Sequence, residues 1–224
     1  MKKRHFDVET DGFYGAYWKC KSDSGCAMIA MIGDDSEDYL ARTSVKWLHK
    51  LGVNVMTMSP AKKDYGHHNY PLERIEKAIS WLKIHGNQKI GIVGASTTGT
   101  LALTAASYFK DITLTIGLTP SDFIWQGFMQ GKRDGCKEWP MEGESLFSYK
   151  EEPLPYMPFC YKHPDYWHVI EKETKRTGDM INSRKLFEMC IRDSSKTIII
   201  DSTQRLQNLR MGTVIVIIIK TYHN

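Results

Sequence analysis

Apolar and polar positions follow two different periods along the chain, and the period changes several times between about residues 26 and 117. Short apolar runs, typical of strands covered on both faces, alternate with segments in which apolar residues recur every three or four positions. The predicted order is β-α-β-α-β-α-β, which indicates a mostly parallel sheet with flanking helices. The predicted strands are 27–32, 53–58, 89–93 and 112–117, and the predicted helices are about 38–51, 71–86 and 99–109.

The first two predicted helices each carry one apolar stripe at helical spacing, which we expect to face the sheet. The stripe of the first helix consists of Leu40, Trp47, Leu48 and Leu51. The stripe of the second helix consists of Leu72, Ile75, Ile79 and Leu82.

After Pro120 the periodic pattern ends, and the segment 121–175 is rich in aromatic residues and proline. A connection of this length is usually a functional cover, so the pattern predicts an ordered lid, with a helix resuming near 166–175. Its aromatic residues either line an apolar acyl pocket or simply pack the irregular insertion. They are Phe123, Trp125, Phe128, Trp139, Tyr156, Phe159 and Trp167.

Composition and charge bear on the number of domains, the partners and the cofactors of the protein. A chain of 224 residues with 42% hydrophobic and 25% charged residues fits one compact domain. The net charge of +4 is spread without basic blocks, so no nucleic-acid partner is predicted. Five cysteines without a CxxC pair indicate neither a disulfide framework nor a metal site, and no cofactor is expected.

The start of the sequence and its longest apolar run bear on location. The N-terminal "MKKRHFDVETDG" has no apolar segment of the kind that a secretory signal contains. The run 214–219 is far shorter than the roughly 18 residues that span a bilayer. We therefore expect a cytoplasmic protein without a membrane segment.

The candidate chemistry lies in "KIGIVGASTTG", which ends the third predicted strand. A serine becomes a nucleophile when it is exposed, next to a base and beside amide donors. The G-x-S-x-G elbow provides exposure and donors between a strand and a helix. Gly94 and Ser96 match this motif, whereas Thr98 stands at the second glycine and Gly99 follows one residue later. The sequence predicts Ser96 as the nucleophile.

Two backbone amides are predicted to bind the oxyanion. One belongs to Thr97, the residue after the nucleophile, and the other to Asp34 or Asp35 in "MIGDD", with Asp34 preferred. Gly33 allows the chain to turn at that point. The alternative interpretation is a tight turn in which Ser96 only caps a helix, within a non-catalytic α/β binding module.

Five stretches carry a resemblance to a known family: AMIAMIGDD, YPLERIEKAISWLKIHG, KIGIVGASTTGTLALTAASYF, LTIGLTPSDFIWQGF and YKHPDYWHVI. They resemble bacterial α/β-hydrolases of the acyl-CoA thioester hydrolase and bile acid-CoA:amino acid N-acyltransferase C-terminal family. The resemblance covers about residues 11–187 and implies the α/β-hydrolase fold. It also implies hydrolysis of a small-molecule acyl ester or acyl-CoA through an acyl-enzyme, with Ser96 at the matching position.

The resemblance also favours one reaction over another. Family members that transfer the acyl group to an amino acid tend to carry cysteine at the nucleophile position, so serine favours hydrolysis. A carboxylesterase or a peptidase of the same fold remains the alternative.

The remaining triad residues should follow Ser96 in the order acid, then histidine. Asp122 follows the fourth predicted strand and is one candidate acid. Asp201 and His223 follow two apolar runs in the tail, but only about ten residues separate those runs, fewer than a parallel crossover needs. The sequence therefore supplies no recognisable acid–histidine pair.

The peptide Glu188–Ser194, "EMCIRDS", is the translation of a transposase mosaic-end adapter used in sequencing libraries. The family likeness ends at the preceding residue, Phe187. We therefore expect a hydrolase domain over 1–187 and an artefactual or non-homologous tail over 188–224. The fold should then be C-terminally incomplete, with an unpaired sheet edge, and the chain as written should be inactive.

Other histidines are given structural roles. His67 and His68 are expected to be solvated loop residues rather than metal ligands. His163 and His168, on either side of Asp165, are expected to belong to the lid.

Overall fold

A computed structural model describes residues 3–22, 24–33, 35–60, 67–121, 123–130, 138–156, 196–201 and 214–219. For residues 129–130, 138–142, 196–201 and 214–219 only the backbone is described. The helices are α1 (Val8–Asp11), α2 (Tyr39–Lys50), α3 (Glu73–Ile84) and α4 (Thr97–Tyr108). The first seven strands are β1 (Lys3–Phe6), β2 (Gly15–Trp18), β3 (Cys26–Met31), β4 (Asn54–Met58), β5 (Tyr70–Pro71), β6 (Lys89–Ala95) and β7 (Ile112–Leu118). The later strands are β8 (Gln126–Gln130), β9 (Glu138–Ser145), β10 (Phe147–Tyr149), β11 (Glu152–Pro153), β12 (Lys196–Asp201) and β13 (Val214–Ile219).

The main sheet has eight strands in the order β1-β2-β4-β3-β6-β7-β13-β12. Strands β4, β3, β6 and β7 pair in parallel, and helices α2, α3 and α4 connect them in chain order. Strand β2 is antiparallel to both of its neighbours, β1 and β4. The predicted alternation of strands and helices in a mostly parallel sheet is confirmed. The sequence did not predict β1, α1 and β2, which precede it.

The central strands are apolar throughout because both faces of the sheet are covered. Successive side chains of a strand point to opposite faces. In β3, Ile29 and Met31 join one core cluster, whereas Met28 and Ala30 join the other. Residues of α3 and α4 belong to the first cluster, and residues of α2 belong to the second.

Helix α3 buries the predicted stripe, whereas α2 buries only Leu48 of its predicted four residues. Leu72, just before α3, and three α3 residues are at most 3% exposed, namely Ile75, Ile79 and Leu82. In α2 the predicted Leu40, Trp47 and Leu51 are 53%, 41% and 67% exposed. The residues of α2 that are buried are Ala41, Ser44, Val45 and Leu48. Two neighbouring stripes of α2 have helical spacing, and the one with smaller side chains packs on the sheet.

Helix α4 is the most deeply buried helix of the described chain, with every residue from Gly99 to Ala106 buried. Its small and apolar composition permits burial on all sides. The buried hydroxyl of Thr104 donates to the carbonyl oxygen of Thr100 at 2.8 Å, which satisfies it within the helix.

The outer edge of β7 is paired, so the prediction of an unpaired edge is wrong. Strand β13 lies antiparallel to β7, and β12 lies antiparallel to β13. The connection 202–213 is short, and antiparallel pairing is the arrangement that a short connection allows.

Two smaller sheets are formed by strands that follow β7, together with β5. Strands β8 and β9 form an antiparallel pair, and β10 pairs with β11 and with β5. The amide of Tyr70 in β5 donates to the carbonyl oxygen of Leu146 at 2.9 Å, which ties the segment after β4 to the segment after β7. Among the described residues, no helix is long and apolar enough to cross a membrane.

Candidate active site

A single residue makes the turn from strand to helix at the predicted elbow. Strand β6 ends at Ala95 and α4 begins at Thr97, so Ser96 alone connects them. Its φ of 54° and ψ of −121° lie outside the regions that residues with a Cβ prefer. The Ser96 amide donates to the carbonyl oxygen of Leu118 at 2.8 Å, and its carbonyl accepts from the Thr100 amide at 3.0 Å. Bonds on both sides hold the strained backbone.

The Ser96 side chain is exposed, although the strand before it and the helix after it are mostly buried. Within α4, all of which the structure describes, no amide donates a capping hydrogen bond to this side chain. The cap interpretation of Ser96 therefore lacks the hydrogen bond on which it depends.

The two glycines that flank Ser96 allow the close approach of β6, α4 and β7. A Cβ at Gly94 would overlap the carbonyl group of Thr98, so only glycine fits there. A Cβ at Gly99 would lie 3.2 Å from two carbonyl oxygens, those of Gly94 and Leu118. The departure from G-x-S-x-G is therefore a shift by one residue, because Gly99 provides the tight contact.

Thr98 occupies the position where the motif has glycine. Its hydroxyl oxygen accepts from the Ala95 amide at 2.9 Å. The same hydroxyl donates to the carbonyl oxygen of Met31 at 2.5 Å, and its oxygen lies 2.9 Å from the carbonyl oxygen of Ala95. Sequence reasoning noted Thr98 only as a mismatch, and the hydroxyl in place of glycine was the signal that could have revealed this contact.

Of the predicted oxyanion donors, the structure describes Thr97 and Asp35 but not Asp34. The Thr97 amide belongs to the first residue of α4, and such amides have no partner within the helix. The Asp35 amide donates to Asp38 Oδ2 at 3.2 Å, so it is already engaged. Gly33 has a φ of 100°, the turn that the sequence predicted there. Asp34 lies outside the described residues, and its role stays a prediction.

The start of the predicted lid is attached to α4 close to Ser96. The Ser121 amide donates to Thr100 Oγ1 at 2.9 Å. Trp125 Nε1 in turn donates to Ser121 Oγ at 2.8 Å, and the Trp125 ring meets Phe123 edge to face at 4.3 Å. These bonds place the aromatic segment after β7 beside the helix that Ser96 precedes. Asp122 lies outside the described residues.

His67 and His68 are partly buried rather than solvated, which corrects the sequence prediction. The His67 ring stacks on Phe128 at 4.8 Å, and His68 Nδ1 contacts the Glu144 carboxylate. Both partners belong to the β8–β9 pair, which periodicity did not predict, so the sequence could not show the contact. No group of three or more His, Cys, Asp or Glu residues in the described chain is arranged to hold a metal ion.

Strand β13 does not run toward Ser96. Strand β13 runs against β7, so that Ile219 pairs with Leu114 near the start of β7, whereas Ser96 lies at the other end of the sheet. The chain therefore leaves β13 at the edge away from Ser96. His223, His163, Asp165 and His168 lie outside the described residues, and Asp201 ends β12 with no described side chain.

The sheet order, the flanking helices and the strand–Ser96–helix turn define the class of protein. This is the α/β-hydrolase fold. Residues 70–165 match the family model described as BAAT / Acyl-CoA thioester hydrolase C terminal. The resemblance to this family that the sequence predicts is thereby confirmed.

Two further comparisons give the chain's relation to individual proteins. The crystal structure of the α/β hydrolase GrgF from Penicillium sp. sh18 is 20% identical, with a TM-score of 0.41. The alignment covers 50% of this chain and 43% of that one, so the chain spans less than half of the GrgF length. No curated protein matches this sequence.

Proposed function

We propose that this chain belongs to a serine hydrolase that acts on acyl esters or thioesters, with acyl-CoA thioesters as the leading substrate class. The observation that carries the proposal is the exposed Ser96 held at positive φ between β6 and α4. Such a turn presents a hydroxyl beside the first amides of a helix, which is what an acyl-transfer nucleophile needs. The description of the matching family adds the thioester substrate.

The reaction would proceed through an acyl-enzyme. Ser96 Oγ attacks the acyl carbon, and the amides of Thr97 and Asp34 donate to the resulting oxyanion. The bond to the leaving group breaks, and the thiol or alcohol departs with a proton. Water then attacks the acyl-enzyme, which releases the free acid and restores Ser96. A histidine base must take the Ser96 proton at the outset, and an acid must orient it.

In this proposal the acid and the histidine lie in a natural continuation beyond Phe187, and residues 188–224 are no part of the natural protein. The "EMCIRDS" peptide supports this. So does the direction of β13, which leads the chain away from Ser96. The chain as written is therefore inactive. The cytoplasmic location is part of the proposal and is supported by the free thiols of Cys20 and Cys26.

Genomic DNA read from an independent library tests the tail. We expect an in-frame continuation after the Phe187 codon that encodes an apolar strand, an aspartate or glutamate, and a later histidine. A genomic "EMCIRDSSKTIII" would contradict this part of the proposal.

Turnover by the gene product, as the genome encodes it, tests the activity. Turnover of acyl-CoA thioesters, p-nitrophenyl esters and peptides is measured for the wild type, for Ser96→Ala and for a control, Ser107→Ala. The Ser107 hydroxyl donates to the carbonyl oxygen of Thr104 within α4. We expect thioester hydrolysis that falls about 10³-fold or more in Ser96→Ala and is unchanged in the control.

The other outcomes separate the rival functions. Ser96-dependent turnover of p-nitrophenyl esters or peptides alone would indicate a carboxylesterase or a peptidase. A folded protein that turns over none of the three would indicate a non-catalytic binding module.

A further inference from the structure

The Thr98 hydroxyl lies where the backbone pairing of β3 and β6 ends. The last residues of the two strands that pair are Met31 and Gly94. One residue further along β6, the Ala95 amide donates to Thr98 Oγ1 at 2.9 Å instead of to the neighbouring strand. That oxygen lies 2.5 Å from the Met31 carbonyl oxygen.

The hydroxyl therefore continues the strand pairing by one step. It accepts a hydrogen bond from β6 and donates one to β3, so one side-chain oxygen bridges the two strands where they diverge. A hydroxyl has one proton, and the nearer carbonyl, that of Met31, is the better acceptor than that of Ala95 at 2.9 Å.

The bridge joins the two backbone segments that flank the proposed site. Ala95 immediately precedes Ser96, and Met31 ends the strand that leads into the loop at Gly33. Thr98 itself is the second residue of α4, one position after Thr97. A change in the spacing of β3 and β6 at this point would move Ser96 and the Thr97 amide relative to the β3 loop.

We propose that Thr98 is a positioning residue whose hydroxyl fixes the Ser96–Thr97 turn against the end of β3. This inference rests on the proposed function, because it assigns Thr98 to the geometry of acyl transfer. The motif has glycine at this position, but Thr98→Gly should weaken the site in this chain, because it removes the hydroxyl that bridges β6 and β3.

The test compares Thr98→Val, which keeps the shape without the hydroxyl, with Thr98→Ser, which keeps the hydroxyl. Thr98→Gly removes the side chain and cannot overpack the turn, so it serves if the valine variant does not fold. The matched control is Thr104→Val, because the Thr104 hydroxyl on the same helix donates to the carbonyl oxygen of Thr100 within α4. Each variant is made in the gene product as the genome encodes it, and its folding is checked by circular dichroism.

We expect kcat to fall about 10-fold or more in Thr98→Val and Thr98→Gly with KM nearly unchanged, since small misplacements of a nucleophile are costly. The kcat of Thr98→Ser should stay within about 3-fold of the wild-type value, and the kcat of Thr104→Val should match the wild-type value. An unchanged kcat in the hydroxyl-free variants, or an equal loss in Thr98→Ser, would overturn the positioning role.

Measuring Ser96→Ala in the same assay distinguishes a failure of this inference from a failure of the proposed function. Turnover that survives Ser96→Ala would overturn the proposed function and the positioning role together. Ser96-dependent turnover that the loss of the Thr98 hydroxyl leaves unchanged would overturn the positioning role alone.

Discussion

The elbow around Ser96 and the cover after β7 are held together in different ways. At the elbow, backbone meets backbone: the missing Cβ of Gly94 faces the Thr98 carbonyl, and Gly99 faces two further carbonyl oxygens. In the cover, side-chain contacts add to backbone pairing: Trp125 donates to Ser121, and His68 contacts Glu144, beside the backbone bond from Tyr70 to Leu146. The elbow therefore tolerates few residue types, whereas many sequences could build the cover.

The largest loss of stability is expected from a substitution in the elbow, at Gly94. Gly94→Ala would force a Cβ into the Thr98 carbonyl, and neither strand nor helix can yield easily there. We expect the free energy of unfolding to fall by about 3 kcal/mol or more, as for severe overpacking. Urea unfolding followed by circular dichroism measures it.

The matched control is Gly91→Ala, three residues earlier in the same strand. A Cβ there would meet the end of the Met28 side chain, which is flexible and can move. A loss at Gly91 as large as that at Gly94 would show that the elbow is no tighter than the rest of β6.

A smaller effect is expected in the cover. Trp125→Phe keeps an aromatic ring but removes the N–H that donates to Ser121 Oγ. We expect a loss of about 1 kcal/mol, the usual value for one hydrogen bond. Limited proteolysis should show faster cleavage after β7 than in α3 or the parallel strands, because both partners of the bond lie in the segment that follows β7.

Ser121→Ala removes the same hydrogen bond from the other side and should give the same cleavage pattern. If Trp125→Phe instead lowers the free energy of unfolding by as much as Gly94→Ala, the contrast with the elbow fails.

The same contrast explains how much could be predicted from the sequence. The parallel strands were predictable because both faces are buried, which leaves unbroken apolar runs such as β3 and β6. Gly94 and Ser96 were predictable because the elbow restricts residue type at fixed spacing. The buried face of α2 was mispredicted, since Leu40 and Leu51 have the same helical spacing as the smaller residues that pack on the sheet.

Other features leave no local pattern in the sequence. The contact of His68 with Glu144 joins residues far apart in the chain, and neither periodicity nor a motif marks it. The bridge from Thr98 to Met31 spans 67 positions and depends on how two strands diverge. Strand β2 was missed because four residues, Gly15–Trp18, give too short a run to establish a period.

The central claim is that Ser96 is a nucleophile, and a covalent adduct tests it most directly. The gene product with its genomic C-terminus is treated with a fluorophosphonate, and the modified peptide is identified by mass spectrometry. Our account predicts one adduct, on Ser96, that is lost in Ser96→Ala and kept in Ser107→Ala. A folded protein that acquires no adduct on Ser96, or that is modified equally in Ser96→Ala, would contradict it.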